Sequence, residues 1–169
     1  TVLTTIDHPN IEKFIGAYIE KTKIFLITDR TGINLSHIFE NSALFPINDG
    51  DMTILAFKIA QAMSYLHSHS VVHRNLIPTN VYVGKSDEIM PKIVGFRNSR
   101  LIPNVNSIGM SSLNFQSKAP VSYFTAPELN DGQYNEKVDV FAFSGILYQM
   151  ITGHLPYQKM QRSKAAKLL

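Results

Sequence analysis

The sequence predicts an α+β fold: a β-hairpin at the N-terminal end, followed by a mainly helical body interrupted by short strands. The hairpin rests on two apolar stretches, Phe14–Ile19 and Ile24–Ile27, separated by the polar Glu20-Lys21-Thr22-Lys23, the pattern of strands joined by a turn. Helical periodicity begins at Asp51, with Leu55, Ile59, Ala62, Met63 and Leu66 on one face. A further run, Asn135–Ile151, is apolar on most sides and stops at Gly153, a residue suited to the left-handed position that closes a helix.

The remaining elements follow in order. Asp29–Asn34 reads as a polar turn after the hairpin, and Leu35–Phe39 as a short helix. The helix from Asp51 ends near His67–Ser70. Val71-Val72, Val81-Tyr82-Val83 and Lys92-Ile93-Val94 read as short strands joined by turns. Asn98–Pro120 is rich in Ser and Asn with little periodicity, so a long mobile loop is expected; loops of that length in compact domains are usually functional or disordered. The helix over Asn135–Ile151, apolar all round, is expected to be buried.

Composition narrows the function classes. At 169 residues the chain falls in the one-domain range. It has no cysteine, which removes disulfides, thiolate metal sites and cysteine nucleophiles and fits an intracellular, cytoplasmic setting. The net charge of +3 is scattered, and the local excess at Lys159, Arg162, Lys164 and Lys167 reads as a solvated helix face. No nucleic-acid partner is expected. The most apolar run, Val138–Ile151, is broken by Asp139 and Gln149, so no membrane span is expected. No signal peptide is visible, and the sequence starts without Met. His67, His69 and His73 lie close in sequence, but with no cysteine or neighbouring carboxylate they read as structural, not as a metal site.

The motifs carry more. His73-Arg74-Asn75-Leu76-Ile77-Pro78-Thr79-Asn80 resembles the protein-kinase catalytic loop H-R-D-L-x-x-x-N, altered at the Asp. Lys92-Ile93-Val94-Gly95-Phe96-Arg97 sits where that family has a strand entering D-F-G. Ala126-Pro127-Glu128 matches A-P-E, and Asp139-Val140-Phe141-Ala142-Phe143 resembles the opening of the family's central helix. His8-Pro9-Asn10-Ile11 is similar to the turn entering its fourth strand. The resemblance implies a partial protein-kinase-like fold over 1–169: the end of the small lobe at 1–28, the hinge at 29–34, and a truncated large lobe at 35–169. The family's Gly-rich loop, its phosphate-pairing Lys and the last helices of its large lobe have no match within 1–169.

On these matches the resemblance also assigns roles. Asn75 stands at the general base, and an amide takes up no proton at neutral pH. Gly95 stands at the metal-binding Asp and offers no side-chain oxygen. Ile77 replaces a phosphate-contacting Lys found in many Ser/Thr-type relatives, and Val121 a Thr that bonds the same Asp and Lys. Asn80 matches the second metal ligand, or with Gly95 beside it is a purely structural amide. Thr28 guards the pocket behind adenine, and Asp29, Arg30 and Thr31 match the hinge, whose backbone groups survive any side-chain change. Tyr82 falls beneath adenine, where its ring either crowds the nucleotide or turns into the core. Arg97 replaces the Gly of D-F-G and either holds phosphates without a metal or is solvated. Phe14, His73, Phe96 and Asp139 match the hydrophobic stack and its anchor. Glu128 matches a buried carboxylate whose Arg partner lies in a later helix. Ser107, Ser111, Ser112 and Ser117 are candidate phosphorylation sites that would pair with Arg74.

Loss of a general base costs ~10²–10⁴ in rate, and loss of a charge stabiliser roughly 10²–10³. Such losses are not additive, but either takes a kinase turning over at ~1–100 s⁻¹ to marginal activity. The expectation is therefore a catalytically inactive pseudokinase acting as a binding or scaffold module. Its expected partners are other proteins, an active kinase among them. It takes no cofactor or binds ATP weakly, with magnesium (through Asn80) only if active. The alternatives are an active or weakly active ATP-dependent Ser/Thr-type kinase, since the loop lacks the Ala-Ala signature of tyrosine kinases, and a truncated remnant without function.

Overall fold

A computed structural model describes residues 2–29, 32–84, 88–102, 122–129 and 134–158. The hairpin forms as the alternating apolar runs require. β1 (Phe14–Glu20) pairs antiparallel with β2 (Lys23–Thr28), from Phe14 opposite Thr28 to Glu20 opposite Lys23. Lys21, at φ +53°, makes the tight turn. The segment before β1 docks elsewhere: Ile11 bridges in parallel to Ile93.

After the hairpin the expected polar turn contains a short strand, β3 (Ile33–Asn34). Asn34 then caps α1 (Leu35–Glu40), its side-chain oxygen accepting the His37 amide at 2.9 Å. α2 (Asp49–Ser68) starts two residues before the expected Asp51, because Asn48 accepts the Asp51 amide and Asp49 and Asp51 both lie in the first turn. Its expected face is the observed one: Leu55, Ile59, Ala62, Met63 and Leu66 are all buried.

Short strands follow: β4 (Val71–Val72), β5 (Val81–Val83) and β6 (Pro91–Ile93). One sheet runs β3-β5-β6, antiparallel throughout. β6 sits one residue earlier than expected, since Val94 turns away and donates its amide to the Asn80 carbonyl. The segment expected as loop from Asn98 instead opens with structure. A 3-10 turn covers Phe96–Asn98, and β7 (Arg100–Leu101) pairs antiparallel with β4. The strand carries no alternation of its own; it forms because β4 offers a free edge. Residues 103–121, with the candidate serines and Val121, lie outside the described residues.

α3 (Lys137–Thr152) ends at Gly153, whose φ of +68° is the left-handed closure expected. The expectation of burial on all sides is corrected. Ala142, Gly145, Ile146, Gln149 and Met150 are buried, but Val140 and Tyr148 are about half exposed and Ile151 is 82% exposed. One cluster joins the body: α2 packs with Val71, Leu76, Val81, Ile93 and Phe96, and with Ile146 and Met150 of α3.

Candidate functional site

The segment between β4 and β5 is pinned from beneath by α3. Asp139, fully buried in the helix's first turn, accepts the His73 amide on Oδ2 at 2.8 Å and the Arg74 amide on Oδ1 at 2.7 Å. His67 Nε2 also reaches Oδ2, at 3.1 Å. His73 itself is buried. Its Nε2 lies 3.0 Å from the Val94 carbonyl, which only accepts, so that nitrogen carries the proton; Nδ1 then accepts the Asn75 amide at 3.3 Å. The neutral tautomer is thereby fixed. Burial pushes the His73 pKa below its ordinary value, against the opposing pull of Asp139. Phe96 meets the ring edge-on at 4.7 Å between centroids.

Arg74 turns the chain through φ +64°, leaving Asn75 half-buried at the mouth of the loop. Asn80 is anchored at several points. Its amide donates to the Ile77 carbonyl, its carbonyl accepts from Val94, and its Nδ2 donates to the Asn75 carbonyl at 2.9 Å. Ile77 packs on the core cluster. Gly95 lies beside Asn80 at φ +86°, and a Cβ at position 95 would come within 2.8 Å of Asn80 Cγ. The structure thus brings Asn75, Asn80, Gly95, His73, Phe96 and Asp139 together.

The other candidates frame this centre. Thr28 ends β2 opposite Phe14, which packs on the core. Tyr82 is half-buried on the face of β5 opposite the buried Val81 and Val83. Arg97 is exposed in the 3-10 turn after Gly95. Glu128 is half-buried, so it does not bear the full desolvation penalty of the buried carboxylate expected for it. Arg30 and Thr31 lie outside the described residues.

Asp29 is held more firmly than its sequence suggested. Its Oδ1 accepts the Lys13 amide at 2.6 Å, and its Oδ2 pairs with Lys92 Nζ at 2.7 Å. Burial alone would raise its pKa, but the Lys92 and Lys13 hydrogen bonds and the Lys92 charge together take it below the usual carboxylate value. The sequence reading also missed Glu12, 7% exposed, whose Oε1 accepts the Gly95 amide at 2.8 Å. A carboxylate between Ile11 and the apolar start of β1 was the available signal. Its partner Gly95 lies 83 residues away in sequence, so nothing local revealed the contact.

An antiparallel hairpin set against a helical body, with a pinned loop facing a left-handed turn, defines a kinase-like α+β domain. The chain belongs to the protein kinase domain family, whose model matches residues 1–168. It is 34% identical to the serine/threonine-protein kinase VIK of Arabidopsis thaliana over 98% of this chain and 38% of that protein. It is 33% identical to a probable inactive serine/threonine-protein kinase of Dictyostelium discoideum over 88% of this chain and 13% of that one. The fold resembles a chain in the crystal structure of the yeast RNA Pol II CTD kinase CTDK-1 complex, with a TM-score of 0.79 and 19% identity, over 99% of this chain and 53% of that one. The chain therefore spans well under half the length of these curated relatives. Among the described residues, no helix is long and apolar enough to cross a membrane.

Proposed function

We propose that this kinase-family domain does not transfer phosphate and serves as a binding or scaffold module for other proteins, an active kinase among them. The carrying observation is the pairing at the centre: an amide at position 75 and a left-handed glycine at 95, with Asn80 tied to the Asn75 carbonyl. Phosphoryl transfer needs a proton acceptor for the attacking hydroxyl and oxygen ligands for magnesium. Asn75 supplies no acceptor for the proton, and Gly95 supplies no side-chain ligand. Ile77 adds an apolar side chain where a phosphate contact would stand. Asn80 is then a structural amide.

ATP binding, where it occurs, is weak and rests on the backbone groups that the family match assigns to the hinge, with Thr28 and Tyr82 as further contacts and the exposed Arg97 as a candidate for the phosphates. Phe14, His73, Phe96, Glu128 and Asp139 keep the architecture. The Dictyostelium relative named probable inactive supports this reading, as does the intact anchoring of a loop whose reactive positions are replaced. The setting proposed is intracellular and cytoplasmic.

A weakly active ATP-dependent Ser/Thr-type kinase is the second reading, favoured by the retained Asn80 and by the named kinase activity of the Arabidopsis relative. Phosphate incorporation by the purified full-length protein with Mg-ATP separates the two. No incorporation above background is expected. Transfer that disappears in Asn80→Ala would establish the second reading and overturn the first.

A further inference from the structure

We propose that Glu12 is a positioning residue that fixes the turn at 94–97, holding Gly95 from the segment that leads into the hairpin. The proposal stands whether or not the domain transfers phosphate. At φ +86° the Gly95 amide is rotated out of the β6 ladder, and its hydrogen bond goes to Glu12 Oε1, 83 residues away. The preceding amide, Val94, is already committed to Asn80, so the two flanks of the turn are tied to different parts of the molecule.

Glu12 is well placed for this task. Its own amide donates to the Ile93 carbonyl, and the Ile93 amide donates back to Asn10, both at 2.8 Å. Asn10 Nδ2 donates to the Pro91 carbonyl at 2.9 Å. The backbone of 10–12 is therefore laid along β6, and the carboxylate reaches past the end of that strand to the turn. An apolar side chain would fill a buried position there without the desolvation of a charge. The acid contributes an acceptor for an N–H that has no strand partner. Because Phe96 follows directly, the same bond sets where its ring meets His73. The Glu12 charge also acts on the His73 ring, favouring its protonated form against the dominant effect of burial.

Hydrogen–deuterium exchange resolved at Gly95 in the full-length protein tests the assignment. In the unmutated protein the Gly95 amide should be protected comparably to that of Ile93. Glu12→Leu, which fills similar space without an acceptor, should speed exchange at Gly95 about ten-fold while the buried amides of α2 keep their rates. Glu12→Gln retains a side-chain oxygen and should preserve the parent pattern. An unprotected Gly95 in the unmutated protein overturns the proposal, and that measurement stands even if the leucine variant fails to fold. Uniform acceleration across α2 in Glu12→Leu, or a glutamine variant that behaves like leucine, overturns it as well.

Discussion

At position 95 the backbone and its neighbour both select glycine. The φ of +86° lies where a side chain is strained, and an added Cβ would meet Asn80 Cγ at 2.8 Å. Asn80 cannot simply swing aside without giving up its bond to the Asn75 carbonyl. Gly95→Asp should therefore destabilise the domain by about 1–2 kcal/mol, read as a lower urea midpoint, and should not by itself create magnesium-dependent thermal stabilisation. A melting temperature that rises with magnesium and ATP in that variant alone would contradict this. The identity of residue 95 stood out in the sequence as a departure from D-F-G. The sign of its φ, and the carboxylate that takes its amide, did not. Both depend on Asn80 and Glu12 being brought to the same place.

At the scale of elements, α2 and α3 show what periodicity can and cannot reveal. The α2 stripe from Leu55 to Leu66 was legible as apolar residues recurring at helical spacing, although Ile54 and Phe57 of the same helix stay exposed. α3 offers apolar residues on nearly every side, and the pattern cannot say which are covered. Packing decides: Gly145 seats Phe124, and a Cβ there would stand 2.8 Å from the ring's Cδ1. Gly145→Val should push that buried ring from its place and cost about 1–3 kcal/mol, despite the gain in helix propensity over glycine. Chemical denaturation measures it, and a variant as stable as the parent would show that the contact has slack. β7 was illegible for a different reason. Arg100–Leu101 has no strand signature, and its conformation comes from pairing with β4.

For the whole molecule, burial of imidazoles sets the response to acid. Burial lowers the pKa of both His8 and His73 from the ordinary 6.5, with Asp139 opposing the shift at His73. The folded chain takes up protons on these rings less readily than the unfolded chain, which protonates them as the pH falls through 6.5. Their stabilisation is complete above that value and is lost progressively as the pH drops towards the folded pKa values. Asp29, held below its ordinary 3.8, weakens only in stronger acid. Urea midpoints should therefore fall between about pH 7.5 and pH 5.5, and a flat profile would contradict the lowered pKa of the two imidazoles. By itself the sequence determined the α+β class, the hairpin, the α2 face, the family and the altered residues at 75, 77 and 95, because these are local patterns or ordered motifs. Tertiary structure alone decided the Glu12–Gly95 bond, the Asp29–Lys92 pair, the β4–β7 pairing and the exposed side of α3. Each of those is a contact between distant segments, and spacing along a chain carries no direct record of which surfaces meet once the core closes.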